Sequence, residues 1–128
     1  MSRDTERDSH LMILVAGPYR SGTNDDPVLI AGNLRAMTDM ALRLFRAGHL
    51  PVLSEWFALP LIETAGSGHI GDTAFDEIFH PISRRLVAKC DVCLRIGGPS
   101  KGAEEMVSLT RSFRKQVYFR YEDIPPAR

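Results

Sequence analysis

Hydrophobic and polar positions alternate along this chain in blocks that predict strands and helices in turn. Leu11-Met-Ile-Leu-Val-Ala16 is an unbroken apolar run closed by Gly17-Pro18, the pattern of a strand buried on both faces of a parallel sheet. Tyr19 to Asp26 is a loop by composition. Asp26-Pro27 then marks a helix start, with a capping carboxylate followed by a proline whose missing N–H costs nothing in the first turn. Ile30, Leu34, Met37, Ala41 and Phe45 fall on one helical face, and Gly48 ends the helix. A short strand follows over His49 to Leu53, placed near an edge or entered through a turn by Pro51.

The second half repeats this order. Ser54 to Ile62 predicts a short helix running into a loop that carries Gly66, Gly68 and Gly71. From Asp72, an amphipathic stretch places Phe75, Ile78, Phe79, Ile82 and Leu86 on one face, with Pro81 marking a kink or a junction between two helices. Asp91 to Ile96 is a third strand, closed by Gly97-Gly-Pro99. A helix with Ala103, Met106, Val107, Thr110 and Phe113 inward leads to a strand over Gln116 to Phe119. The expectation is an α/β domain over residues 11–128. It has a mostly parallel sheet of four or five strands, in a flavodoxin-like or Rossmann-like three-layer fold. The polar residues 1–10 are expected to form a flexible tail.

Composition narrows the partners. The 128 residues carry 16 Lys+Arg against 16 Asp+Glu, so the basic surface of a general nucleic-acid binder is not expected. The longest apolar run is too short for a bilayer, and the polar start lacks a signal peptide's apolar segment, which predicts a cytoplasmic protein that engages no membrane. The pair Cys90-Asp-Val-Cys93 has the spacing of redox and zinc motifs. Because it straddles a helix end and a strand start and no second pair follows, it is expected to be structural. His10 lies in the tail, His49 follows a helix end, His69 lies in the glycine-rich loop and His80 precedes Pro81 as a possible helix cap. They show no HxxxH or HExxH spacing, so neither a metal site nor a cofactor is expected.

In open parallel sheets, ligands bind beyond the carboxyl ends of the strands. Three loops qualify. The first, Gly17-Pro-Tyr-Arg-Ser-Gly22, offers Tyr19, Arg20 and Ser21 with two flexible glycines as an anion site; the competing reading makes them ordinary turn residues. The second carries Glu55 and Trp56, a carboxylate that can accept from sugar hydroxyls beside an aromatic that can stack on a base. Trp56 serves equally well as a core or interface residue. The third, Gly97 to Glu105, offers Gly98 for close backbone approach and Ser100 or Gly102 to cap the helix. Its Glu104 and Glu105 are carboxylates that the helix dipole alone would favour.

Together the stretches Met12 to Gly22, Leu44 to Leu53, Ala88 to Gly98 and Ser100 to Met106 resemble the nucleoside 2-deoxyribosyltransferase-like superfamily, and more closely its bacterial branch of unassigned function. The resemblance implies a flavodoxin-like sheet, a homodimer or higher homo-oligomer with sites completed by a neighbouring subunit, and action on the N-glycosidic bond of a nucleoside or nucleoside 5′-monophosphate. It implies a phosphate loop at Arg20, Ser21 and Gly22 and a functional carboxylate at Glu55. The family's nucleophilic Glu falls on Met106, one residue after Glu105, and two family Asp positions hold Ser83 and Ser100. A one-residue step turns a helical side chain by about 100°.

Three functions follow. The first is an N-glycosidase or deoxyribosyltransferase-like enzyme, with Glu105 or Glu104 as catalytic carboxylate and Glu55 on the sugar. The second is a catalytically silent nucleotide-binding module. The third is a phosphoribohydrolase of the cytokinin-activating type, whose glycine-rich loop Gly97 to Glu105 resembles, though the chain is short for that family and lacks its Pro and Thr.

Overall fold

The computed structural model describes residues 10–66 and 73–127. The polar tail before His10 and the loop with Gly68, His69, Gly71 and Asp72 lie outside the described residues. Four strands, β1 (Met12–Ala16), β2 (Leu50–Val52), β3 (Val92–Arg95) and β4 (Gln116–Tyr118), form one sheet in the order β2-β1-β3-β4. Every pairing is parallel, with Ile13 opposite both Pro51 and Val92 and Cys93 opposite Val117. Pro51 sits on an edge strand, where its missing donor does least harm.

Four helices make the crossovers: α1 (Pro27–Arg46), α2 (Ser54–Thr64), α3 (Thr73–Lys89) and α4 (Lys101–Ser112). The alternating side chains of β1 divide the core in two. Ile13 and Val15 pack with Met37, Ala41 and Leu44 of α1 and with Ile124 on one face. Leu14 and Ala16 pack with residues of α2, α3 and α4 on the other. This is the three-layer α/β arrangement the alternation of elements predicts.

Local details explain the element ends. The Asp26 carboxylate accepts from the Val28 N–H at 2.9 Å, capping α1, and Gly48 leaves that helix at φ +97°. The inward row of α1 ends on Leu44 instead of Phe45, which is 64% exposed; at 3.6 residues per turn the spacing of the last turn favours the former. Residues 73–89 form one helix with Pro81 inside it, not two joined there. Pro81 lies on the solvent side, where the carbonyl it leaves unpaired can meet water. The buried row of α3 is Phe75, Phe79, Ser83 and Val87, and His80 sits in mid-helix instead of capping an end. No fifth strand occurs among the described residues; residues 54–64 are helix and residues 121–123 a short 3-10 turn.

His49 is buried and bridges both ends of the domain. Its Nδ1 accepts from the Leu11 N–H at 3.0 Å, which leaves Nε2–H to donate to the Pro125 carbonyl at 3.1 Å. The Lys115 ammonium donates to the carbonyls of Val87, Ala88 and Cys90, closing the end of α3. Cys90 and Cys93 are both buried and unbridged. Burial pushes their thiols up to about 12 and about 11, so neither has the thiolate character of a redox cysteine. Among the described residues no three His, Cys, Asp or Glu side chains gather as metal ligands, and no helix is long and apolar enough to cross a membrane.

Candidate functional site

The chain leaves β1 for β2 on one side and reaches β3 on the other, so the crevice between β1 and β3 is the topological switch point. Two glycines let the loops above it meet. A Cβ on Gly17 would press on Ile96 at 3.1 Å, and one on Gly97, at φ +81°, would lie 2.6 Å from Pro18. The loop after β1 is tied to itself and to α1. The Thr23 hydroxyl donates to the Arg20 carbonyl at 2.5 Å and accepts from the Asp25 N–H at 3.1 Å. The Asn33 side chain donates to the Tyr19 carbonyl at 3.0 Å. Arg20 itself is half-exposed, 3.6 Å from Asp25 and 6.0 Å above the Phe75 ring.

The loop after β3 is held from below by Arg95. This guanidinium is 7% exposed and donates to the Ile96 carbonyl, to the Gly98 carbonyl at 2.8 Å and to Glu104 at 3.0 Å. The Ser100 hydroxyl then accepts from the Ala103 N–H at 3.1 Å, which caps α4. Arg95 therefore fixes the path by which Ser100 and Gly102 reach the crevice. Lysine cannot reproduce this fork. Arg95→Lys is expected to cost about 2 kcal/mol in urea unfolding, from lost hydrogen bonds of a buried guanidinium to the loop carbonyls, with Arg95→Ala costing more.

Between these loops, α2, α3 and α4 enclose a cleft of about 290 Å³. Of the residues the sequence suggests, it brings together Gly17, Tyr19, Arg20, Ser21, Glu55, Ser100, Gly102 and Glu105. Glu55 stands in the first turn of α2 and is 3% exposed; loss of solvent lifts its carboxyl to about 7, against a weaker opposing pull from its own backbone N–H. Tyr19 is raised by burial and then by the neighbouring Glu55 charge. Glu105 lies at the mouth, 49% exposed, with its Oε1 3.6 Å from the His80 Nδ1 on α3.

Four expected site residues lie outside this lining. Glu104 turns away to Arg95. Gly98 is spent as a hydrogen-bond acceptor for the same guanidinium. Gly22 adopts φ +77° with open space where a Cβ would be, so it serves the turn and not close approach. Trp56 is 41% exposed on the outer side of α2 and offers no stacking surface to the cleft.

The cleft also holds residues that sequence reasoning missed, chief among them Asp76, His80 and Lys101, with Phe79 and Met106 in its apolar wall. Asp76 and His80 had one signal, a spacing of four on α3 that puts them on one face, and Lys101 had only its place in the Gly97 to Glu105 loop. Met106 takes the inward position of α4 and receives the Ser54 hydroxyl at 3.7 Å, while Glu105 is turned toward α3. Met106 thus lies on the floor of the cleft and the Glu105 carboxylate at its rim. No family model matches the sequence, and a search of curated proteins gives no match.

Proposed function

We propose that the protein cleaves or exchanges the N-glycosidic bond of a nucleoside or nucleoside 5′-monophosphate. The observation that carries this reading is the buried Glu55 carboxyl opening onto the same crevice as Arg20, Ser21 and Glu105. A charge-bearing group kept from water in a cleft is a mark of a functional site. Arg20, Ser21 and Lys101 would take the phosphate, near the start of α4 where backbone N–H groups favour anions. Glu55 would hold the sugar by its hydroxyls. Glu105 would attack C1′, or take a proton from the water that does.

His80 completes the requirement for a proton donor, which the sequence did not reveal. As the C1′–N bond breaks, its electron pair passes to the base, and the imidazolium supplies the proton the base takes up. In the covalent route, water then adds at C1′, the Glu105–C1′ bond breaks with its electron pair returning to the carboxylate, and the water's proton goes to His80; in the direct route, that proton passes from Glu105 to His80 after the base has left. We further assign a homodimer or higher homo-oligomer, because Leu50, Trp56, Phe57 and Leu61 expose apolar surface on β2 and α2, at the open edge of the sheet.

Incubation with a panel of deoxynucleosides and their monophosphates, followed by chromatography of the free base, tests the reading. Release of base from at least one member is expected. Met106 and Ser83, standing where the resemblance implies carboxylates, favour one alternative, a silent nucleotide-binding module. That module would show thermal stabilisation by a nucleotide, about 2.7 kcal/mol at a hundredfold excess over Kd, with no release across the panel.

A further inference from the structure

A second groove of about 620 Å³ runs between α3 and α4, away from the Arg20 end of the cleft. The two cavities share Phe79, His80, Gly102, Glu105 and Met106, so they meet at the Glu105 side chain. Past that junction the lining turns apolar, with Leu109 of α4, Phe113 just beyond its end, and Pro81 and Ala88 of α3 in the walls. The Arg84 guanidinium lies 5.8 Å from the Phe113 ring, and Arg85 also borders the groove. In its wall is Ser83, 4% exposed, whose hydroxyl finds no hydrogen-bond partner among the described residues. A buried hydroxyl left unpaired is uncommon and calls for a partner.

We infer that this groove receives the base of the substrate, and that the base is a purine. The inference rests on the reading of the cleft as an N-glycosidic site. If the phosphate lies at Arg20 and C1′ at Glu105, the base must continue past Glu105, and the α3–α4 groove is the space that begins there. Its contents suit a flat heteroaromatic ring: apolar side chains to cover the faces, an arginine pair to stack on or donate to ring nitrogens, and a hydroxyl without another partner. Trp56, the aromatic the sequence offers for stacking, lies on the outer side of α2 and leaves this role open. A purine, with the larger face, gains more from these walls than a pyrimidine.

Binding to the Glu105→Gln protein, measured by calorimetry with dGMP, dCMP and deoxyribose 5-phosphate, tests the assignment. Ala88→Trp fills the groove from an exposed helix position and should not disturb folding; Ser83→Ala removes the hydroxyl. The expected result is that dGMP binds at least tenfold more tightly than dCMP. Ala88→Trp should remove that advantage, Ser83→Ala should weaken dGMP several-fold, and both should leave deoxyribose 5-phosphate unchanged. Equal loss for dGMP and deoxyribose 5-phosphate, or no loss for either, overturns the groove as a base site while leaving the N-glycosidic reading standing. A change of oligomeric state on Ala88→Trp without any change in dGMP affinity overturns it too, and makes the groove a contact between copies. Failure of all three probes to bind the unsubstituted groove overturns both readings together.

Discussion

Glu55→Gln is expected to make the protein more stable above neutral pH and far less active. The folded state holds this carboxyl near 7 instead of its usual 4.5, because burial penalises the charge. Below about pH 4.5 the group is protonated in both folded and unfolded chains and has no effect on stability. As pH rises from there toward 7 the unfolded chain releases the proton while the folded one retains it, so stability falls. Above 7 the whole penalty remains, about 3 kcal/mol for a shift of this size. Glutamine keeps the shape and cannot ionise. Its melting temperature should exceed that of the wild type by several degrees at pH 8 and match it near pH 4.

The same substitution should lower kcat/KM by about a hundredfold, the scale of losing one charge-assisted hydrogen bond to the sugar. Because the ionised form accepts from hydroxyls, wild-type kcat/KM should rise with pH through about 7. Thermal melts across pH, set beside initial rates, check both halves. A Gln variant less stable than wild type at pH 8 would show that Glu55 is a packing residue with an internal partner.

Glu105→Ala and Glu104→Ala are expected to part sharply, although the residues are neighbours. Loss of Glu105 removes the carboxylate that meets His80 at the junction of the two cavities, and should lower kcat by about 10² to 10⁴. Loss of Glu104 removes an exposed partner of Arg95, whose other two contacts to carbonyls remain, and kcat should change by no more than a few-fold. Steady-state rates on a substrate from the release panel distinguish them. Equal losses would mean that α4 acts through its first turn as a whole and not through one side chain.

Those two glutamates show where sequence reasoning reaches and where it stops. Strand β1, the Asp26-Pro27 start of α1 and the inward row of α4 were legible, because burial on a strand or a helical face leaves a period in the sequence. Which loops would meet was legible as well, since a parallel sheet puts every strand end on one side. The outward turn of Trp56 was not. Helix α2 buries Ser54, Glu55, Ala58 and Ile62 while exposing Trp56, Phe57 and Leu61, so its apolar residues lie on both sides and its pattern cannot tell them apart. Nor was His80 legible as a site residue, because its place beside Glu105 depends on how α3 packs on α4, which no local spacing encodes. The choice of Arg95 for Glu104 is of the same kind, a contact made across the loop that the guanidinium itself shapes.

The proposed reaction breaks an N-glycosidic bond in this crevice with Glu105 as the reacting carboxylate. Chromatography of free base from a purine deoxynucleoside 5′-monophosphate, with wild-type and Glu105→Ala protein run side by side, tests it most directly. Release by the wild type and a loss of at least a hundredfold in the variant are expected. Absence of release by the wild type, or release undiminished by Glu105→Ala, would contradict it.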